Sequence, residues 1–152
     1  MNLFFVSAFV AITSTAAFEL VKNDTSTALE PSCVRVVDGD TDVLQGCSNE
    51  TNKHIRALGY DTPEMSGKSR CQNEIDIAKR ATARRRELHD AGGVHFIPTG
   101  RKDRYGRYLG QMWTKDGVPF GDILIAEGLA LPWKPGKAHK QWRKAQWCGE
   151  GG

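Results

Sequence analysis

Two short acidic segments contain residue types that could hold a metal ion and activate water. In the first, Asp38 and Asp40 flank a glycine; in the second, Asp61 and Glu64 enclose a Thr-Pro pair. Carboxylates are hard oxygen ligands for calcium or magnesium, and a carboxylate not needed by the ion can act on water. Each segment alone has an ordinary alternative, because Asp-Gly is a common hairpin turn and Thr-Pro-Glu a common turn or helix start.

Three arginines could complete such a site. Arg56 precedes the second acidic segment, and Arg104 and Arg107 lie further along the chain. Guanidinium groups donate hydrogen bonds in a planar fork that matches phosphate oxygens. The carboxylates and arginines together therefore predict a site at which a cation and a phosphate group meet.

The charges are unevenly distributed along the chain. Up to Met65 there are 4 Lys/Arg against 9 Asp/Glu, whereas the remainder has 17 against 9, for a net charge of +3 over 152 residues. An acidic N-terminal part and a basic C-terminal part would suit carboxylates that hold a cation and basic groups that hold a polyanion. Solvated helix faces would give the same imbalance, so both interpretations stay open. The length and the 39% hydrophobic content predict one compact domain.

Five short strands are predicted, the first two from β-branched residues that flank the Asp-Gly turn and the third from alternation; these three form a meander. The strands are Val34–Val37, Thr41–Leu44, His54–Tyr60, Val94–Ile97 and Arg107–Trp113. Helical spacing predicts a first helix from Cys71 to about Ala91, a second from Phe120 to Glu127 and a third at the C-terminus. This order is typical of an α+β fold, mainly a β barrel, and is compatible with a five-stranded Greek-key barrel of the OB type with three α-helices.

The faces of the long helices are also predicted. The apolar stripe of the first helix contains Cys71, Ile75, Ala78, Thr82, Arg85 and Leu88. The triplet Arg84–Arg86 could steer polyanions, but it is more typical of a solvated helix face. On the third helix one face contains Ala138, Trp142, Ala145 and Cys148, and Lys137, Lys140, Arg143 and Lys144 lie largely opposite.

The N-terminal segment has the pattern of a secretory signal peptide. Residues 1–17 contain an apolar run too short to span a bilayer, followed by small residues. Residues 18–31 are polar and lack periodicity, which predicts a flexible leader before a domain over residues 32–149. We therefore expect a secreted or periplasmic protein that has no membrane segment after signal cleavage.

The even number of cysteines favours two disulfides in an exported protein. If Asp38–Thr41 is a hairpin turn, Cys33 and Cys47 face each other across the first two strands. Cys71 and Cys148 then remain, each on the apolar stripe of its helix. A zinc site is the alternative, but no Cys-x-x-Cys spacing supports it.

Four ordered motifs resemble the staphylococcal-nuclease-like (thermonuclease) family. They are Val36–Thr41, Ile55–Glu64, Asp103–Arg107 and Gly128–Ala130, and the resemblance covers about Cys33 to Trp147. It implies an OB-type barrel with three helices and calcium-assisted hydrolysis of phosphodiesters, with DNA and RNA as substrates, little sequence specificity and 3′-phosphate products.

The resemblance also implies roles for individual residues. Asp40 and Asp61 match the carboxylates that bind Ca²⁺, and the backbone carbonyl of Thr62 matches the third protein ligand. Glu64 matches the general base for the attacking water, or a residue that organises the water network. The two arginines that clamp the phosphate and stabilise the transition state correspond to Arg56 and Arg107.

Three further positions resemble residues that contact the substrate. Arg104 and Tyr105 match contacts to the terminal phosphate, and Trp133 matches an aromatic residue that stacks near the base. A packing role for Trp133 is the alternative. The whole pattern predicts a monomeric, calcium-dependent endonuclease. The competing hypothesis is a catalytically inactive OB-type module that binds nucleic acid or protein.

Overall fold

The computed structural model describes residues 26–45, 53–65 and 67–149. Within these ranges lie strands β1 Thr27–Leu29, β2 Val34–Val36, β3 Thr41–Leu44, β4 Lys53–Ala57, β5 Tyr60–Asp61, β6 Val94–Lys102, β7 Tyr108–Trp113 and β8 Leu131–Pro132. The helices are α1 Gln72–Asp90, α2 Phe120–Ala126 and α3 Lys137–Cys148, and Pro31–Cys33 form a 3₁₀ turn. Among these helices, none has both the length and the apolar character needed to cross a membrane.

The main sheet has six described strands in the order β1, β6, β7, β4, β3, β2. Neighbouring strands are antiparallel except β4 and β7, which are parallel. A three-strand meander whose last strand pairs in parallel with a later hairpin is the strand order of an OB-type Greek key. The predicted α+β fold, a curled OB-like sheet with three helices, is therefore confirmed.

The turn between β2 and β3 differs from the predicted hairpin. Val34 pairs with Leu44 and Val36 with Asp42, and the Cys33 carbonyl accepts from the Gln45 amide at 2.8 Å. Cys33 therefore lies opposite Gln45. The Thr41 carbonyl sets this register by accepting from the Val37 amide at 2.9 Å, whereas the Asp40 carbonyl accepts from the Ala57 amide of the neighbouring strand at 2.9 Å.

Three short strands were not predicted from the sequence. β5 and β8 form a separate two-stranded ladder, in which Asp61 pairs with Leu131. β1 adds an edge strand to β6 and buries Leu29, although the sequence assigns residues 27–29 to a flexible leader. Segments this short carry too few residues for alternation to be recognised. The proposed signal peptide, residues 1–17, lies outside the described residues.

The core lies between the concave face of the sheet and the first two helices. One cluster of buried side chains comprises Leu29, Ile55, Leu88, Val94, Phe96, Met112 and Phe120. A second joins the end of β4 to the helices through Ala57, Tyr60, Ala81, Leu124, Leu129 and Ala130. The core therefore extends to Ala57 and Tyr60, which precede Asp61 and the second acidic segment.

Helix α1 buries a charged residue within its apolar face. The Cys71 side chain accepts from the Glu74 amide at the N-terminus, and Ala78, Ala81, Thr82, Arg85 and Leu88 lie on the buried face. Arg85 is 0% exposed, whereas Arg86 is exposed. The helical spacing thus placed Arg85 correctly, but the solvated-face interpretation of the arginine triplet is wrong for this residue.

Helix α3 faces the domain differently from the prediction. Its buried residues are Arg143 and Trp147, whereas Trp142, expected on the apolar face, is 42% exposed. Arg143 is buried because it meets a carboxylate, Asp61, across the interface, at 2.9 Å. A pattern that counts only apolar residues cannot detect such a pair.

A disulfide joins the two long helices. Cys71 at the start of α1 is bonded to Cys148 at the end of α3, the pairing that the sequence predicts. This bond excludes the zinc alternative for those two cysteines, which lie beside Glu74. The pairing of Cys33 with Cys47 stays a prediction, because Cys47 lies outside the described residues.

Replacing Cys71 and Cys148 by serine should destabilise the protein by about 4 kcal/mol, because the bond closes a loop between residues 77 positions apart. Urea unfolding of the double variant and the wild type, both oxidised, measures the difference. Far-UV circular dichroism should show that the helices are retained. A difference below about 1 kcal/mol would contradict the role of this disulfide in anchoring α3.

Candidate active site

The pairing of β3 with β4 brings the first acidic segment next to Arg56. Thr41 at the start of β3 pairs with Arg56 near the end of β4, and the Asp40 backbone bonds to Ala57. After β4 the chain turns and enters β5, which contains Asp61. Asp40 just before β3, Arg56 in β4 and Asp61 in β5 therefore meet at one end of the meander.

Arg56 bridges the two carboxylates expected to bind a metal. Its Nη1 donates to Asp40 Oδ1, and its Nη2 donates to Asp61 Oδ1 at 2.7 Å. Asp40 Oδ2 accepts from the Thr62 amide at 3.2 Å. The structure thus gathers four of the sequence-predicted residues, Asp40, Arg56, Asp61 and Thr62, into one cluster of direct contacts.

The glycine between the two aspartates allows the acidic turn to lie against Thr62. A Cβ atom on Gly39 would come within 2.6 Å of the Thr62 side chain, so a larger residue would push the two segments apart. Asp38 Oδ1 accepts from the Asp40 amide at 3.1 Å and closes the turn. The glycine is therefore needed for this close approach, not only for a hairpin.

The pKa of Asp40 is raised mainly because the carboxyl group is buried. Asp40 is only 2% exposed. Burial raises its pKa, Arg56 lowers it, and Asp38 and Asp61 raise it further, to about 7. One guanidinium therefore does not offset the burial of Asp40 beside two other carboxylates. Hard oxygen donors and unbalanced negative charge are features that fit a divalent cation such as calcium.

Glu64 follows the buried Thr62 by two residues and is exposed to solvent. Its side chain is exposed and makes no hydrogen bond or ion pair to another described residue. Thr62 and Pro63, by contrast, are buried and fix the backbone that leads to it. Glu64 is therefore held near the carboxylate cluster by its backbone while its carboxylate stays accessible to water.

Arg107 directly precedes β7, the strand that pairs in parallel with β4. Leu109, two residues further on, pairs with Arg56, so the backbone brings the two arginines to neighbouring strands. The Asp103 carboxylate accepts from the Arg107 side chain at 2.7 Å and from the backbone amides of Tyr105 and Arg107. Asp103 therefore orders both the turn and the arginine, a role that the sequence analysis missed.

The three expected substrate contacts are all exposed. Arg104 donates to the Tyr105 hydroxyl at 2.6 Å and its guanidinium lies 4.7 Å from the Tyr105 ring centre. Trp133 is 46% exposed, and its backbone amide donates to the Gly59 carbonyl at 3.0 Å. Nearly half of this large side chain therefore faces solvent.

The sequence model of the staphylococcal nuclease homologue family matches residues 54–147. The chain belongs to this family. It is 30% identical over 97 residues to a protein of Escherichia coli O157:H7 described as an uncharacterized endonuclease, covering 64% of this chain and 56% of that protein. It is 33% identical over 101 residues to endonuclease YhcR of Bacillus subtilis (strain 168), covering 63% of this chain and 8% of that protein.

The chain therefore spans about half the length of the Escherichia coli relative and a small part of the Bacillus protein. The matched segment includes most of the candidate site, from Arg56 to Trp133. Asp40 precedes it, so the contacts of Asp40 with Arg56 and Thr62 connect the preceding strand to the family segment.

In this staphylococcal nuclease homologue, a buried hydrogen-bond network around Arg85 contacts the backbone next to the candidate metal ligands. Arg85 on α1 donates through Nε to Asp42 Oδ1 at 2.8 Å and through Nη2 to Asp42 Oδ2. Its Nη1 donates to the Tyr60 hydroxyl and, at 3.4 Å, to the Gly39 carbonyl. Gly39 precedes Asp40 and Tyr60 precedes Asp61, so one buried guanidinium holds the residue before each candidate metal ligand.

Replacing Asp42 by asparagine should cost about 3–5 kcal/mol of folding free energy, because Arg85 would then be buried without a charge partner. Urea unfolding measures this loss. The control is Arg86→Met at the next, exposed position of α1, where a change within about 0.5 kcal/mol is expected. Equal stability of the two variants would contradict the structural role of the Asp42–Arg85 pair.

The same pair predicts a loss of stability in acid. Burial opposes ionisation of Asp42, but Arg85 and His89 lower its pKa from 3.8 to about 2. A carboxyl whose folded pKa is depressed contributes its full stability above the unfolded pKa and loses it as the pH falls through the folded pKa. Urea midpoints should therefore fall between about pH 4 and pH 2, less steeply in Asp42→Asn. Parallel pH profiles would contradict this assignment.

Proposed function

We propose that this protein is a calcium-dependent nuclease that hydrolyses phosphodiester bonds of DNA and RNA with little sequence specificity. The observation that supports the proposal most directly is the bridge from Arg56 to both Asp40 and Asp61. These contacts bring together carboxylates that could bind a cation and a guanidinium that could donate hydrogen bonds to a phosphate, as phosphodiester hydrolysis requires. Membership of the staphylococcal nuclease homologue family supports nuclease chemistry in general.

The residues that would hold calcium are the carboxylates of Asp40 and Asp61 and the backbone carbonyl of Thr62. This oxygen-only donor set suits calcium, with water and a phosphate oxygen as additional ligands. Bound there, calcium would supply positive charge that polarises the phosphate and offsets the negative charge formed during the reaction.

Glu64 and the two arginines carry the remaining chemistry. We assign the exposed carboxylate of Glu64 as the base that accepts a proton from the attacking water, or that orders this water. Arg56 and Arg107 donate hydrogen bonds to the phosphate; two N–H groups of Arg56 are taken up by carboxylates, and its others stay available. In-line attack then breaks the P–O5′ bond and leaves a 3′-phosphate.

The exposed residues around the site account for broad substrate range. Arg104 and Tyr105 contact the terminal phosphate, and Trp133 stacks on a base. Stacking tolerates every base, because each has an aromatic face, and phosphate contacts carry no sequence information. This combination suits a nuclease that accepts both DNA and RNA.

We further propose that the protein works as a monomer after export, in the medium or a periplasm. The disulfide between Cys71 and Cys148 supports export, since such bonds persist in oxidising compartments. The signal peptide proposed for residues 1–17 lies outside the described part of the chain.

Digestion of single-stranded DNA by the purified, oxidised protein tests the proposal. Cleavage should require calcium and stop with a chelator. Glu64→Gln and Arg107→Ala should each lower kcat about 100- to 1,000-fold, because each removes a group that acts in the transition state. Arg101→Ala, at an exposed position of the same hairpin, is the matched control and should cleave nearly as fast as the wild type.

The outcomes separate the two functional classes. No cleavage by folded, oxidised protein, together with salt-sensitive DNA binding, would overturn the enzyme and favour the inactive binding module. Cleavage that persists in the chelator would overturn calcium dependence alone. Full activity of Glu64→Gln would remove that residue from the mechanism.

A further inference from the structure

Arg143 is a buried arginine that the reaction described above does not use. It lies on α3, is 4% exposed, and donates through Nε to Asp61 Oδ2 at 2.9 Å. The sequence pattern placed it on the polar face of the helix, opposite the apolar residues. An arginine is rarely buried unless it is paired, so its contact with Asp61 accounts for its position.

The two oxygens of Asp61 are held from two sides. Arg56 on β4 donates to Oδ1 at 2.7 Å, and Arg143 on α3 donates to Oδ2 at 2.9 Å. Because the two arginines come from different elements, the carboxylate is fixed in both position and rotation about its side chain. Removing either arginine would leave Asp61 free to turn.

A second contact joins Arg143 to the segment with the exposed tryptophan. Its Nη1 donates to the Lys134 carbonyl at 3.4 Å, and Lys134 follows Trp133 directly. The Trp133 amide in turn bonds to Gly59, two residues before Asp61. One guanidinium therefore links the carboxylate to the segment proposed to contact a base.

Helix α3 is attached to the domain by other contacts as well. At its far end the Trp147 carbonyl accepts from Asn73 Nδ2 at 2.7 Å, Arg70 donates to the Lys144 carbonyl, and Cys148 is bonded to Cys71. A buried ion pair is weak evidence for stabilisation, because the cost of removing the charges from water offsets their attraction. Docking of the helix therefore does not by itself explain Arg143.

We propose that Arg143 is a positioning residue that holds the Asp61 carboxylate in the orientation in which it binds calcium, and that ties this carboxylate to the Trp133 segment. The inference rests on the proposed function, because it assigns Asp61 to calcium. Residues that hydrogen-bond to a metal ligand orient it, and their loss commonly weakens metal binding about 10- to 100-fold.

The direction in which calcium affinity changes when Arg143 is removed distinguishes positioning from simple electrostatics. If Arg143 acted only as a nearby positive charge, its removal would lower the repulsion of a cation and tighten calcium binding. If Arg143 positions Asp61, its removal weakens calcium binding despite the loss of that repulsion. The two mechanisms therefore predict opposite changes in affinity.

Calcium titration calorimetry on the nucleic-acid-free protein measures this sign. Arg143→Met should raise the calcium Kd about 10- to 100-fold, and Arg143→Lys should raise it less, because an ammonium can meet Asp61 without the planar fork. The control is Lys140→Met, which removes an exposed charge from the same helix and should change the Kd less than about twofold. Thermal unfolding in chelator reports whether each variant is folded.

Activity gives a second readout. Raising the calcium concentration should restore most of the cleavage rate of Arg143→Met, because the residue does not touch the phosphate. An unchanged or lower Kd in folded Arg143→Met overturns the proposal. If that variant does not fold, a wild-type Kd in Arg143→Lys overturns it instead. A wild-type protein that binds no calcium refutes the calcium assignment and this inference together, whereas normal wild-type binding with an unaffected variant refutes only the inference.

Discussion

The buried ion pair between Asp42 and Arg85 is the interaction on which the rest of the site depends. Both side chains are fully buried, so neither charge could stay in the core without the other. The same guanidinium also bonds to the Gly39 carbonyl and the Tyr60 hydroxyl. Through this guanidinium, helix α1 holds the residue just before Asp40 and the residue just before Asp61.

Most of the fold could be predicted because its elements follow simple periods. The β-branched residues of Thr41–Leu44 and the helical spacing of α1 predicted elements within one or two residues of those observed. The ladder of β5 with β8 was missed because two residues show no alternation. The register of the first hairpin was wrong because the Asp-Gly pair alone does not fix the length of the turn; the Thr41 carbonyl accepts from both the Val37 and the Asp38 amides.

The residues of the candidate site were predicted from the sequence, but the residues that hold them in place were not. Family motifs identified Asp40, Arg56 and Asp61, whose mutual contacts the structure shows. Asp103 and Arg143 were missed as supporting residues, because a sequence pattern counts charged residues as solvent-facing. The stripe that includes Arg85 gave one available signal, since an arginine at a core position predicts a buried partner. No comparable signal marks Arg143, whose partner lies 82 positions away.

The unequal charge of the site argues for a function beyond folding. Asp40 stays buried beside Asp38 and Asp61, and its pKa remains raised to about 7 even though Arg56 touches it. A neutral residue there would avoid the cost of burying the carboxylate, and a carboxylate kept at such a cost fits the proposed cation site. A phosphate group would add further negative charge. A cation and a phosphate would therefore bind here more strongly together than separately, and by linkage each would raise the affinity for the other. That reciprocity would couple metal binding to substrate binding without any change of fold.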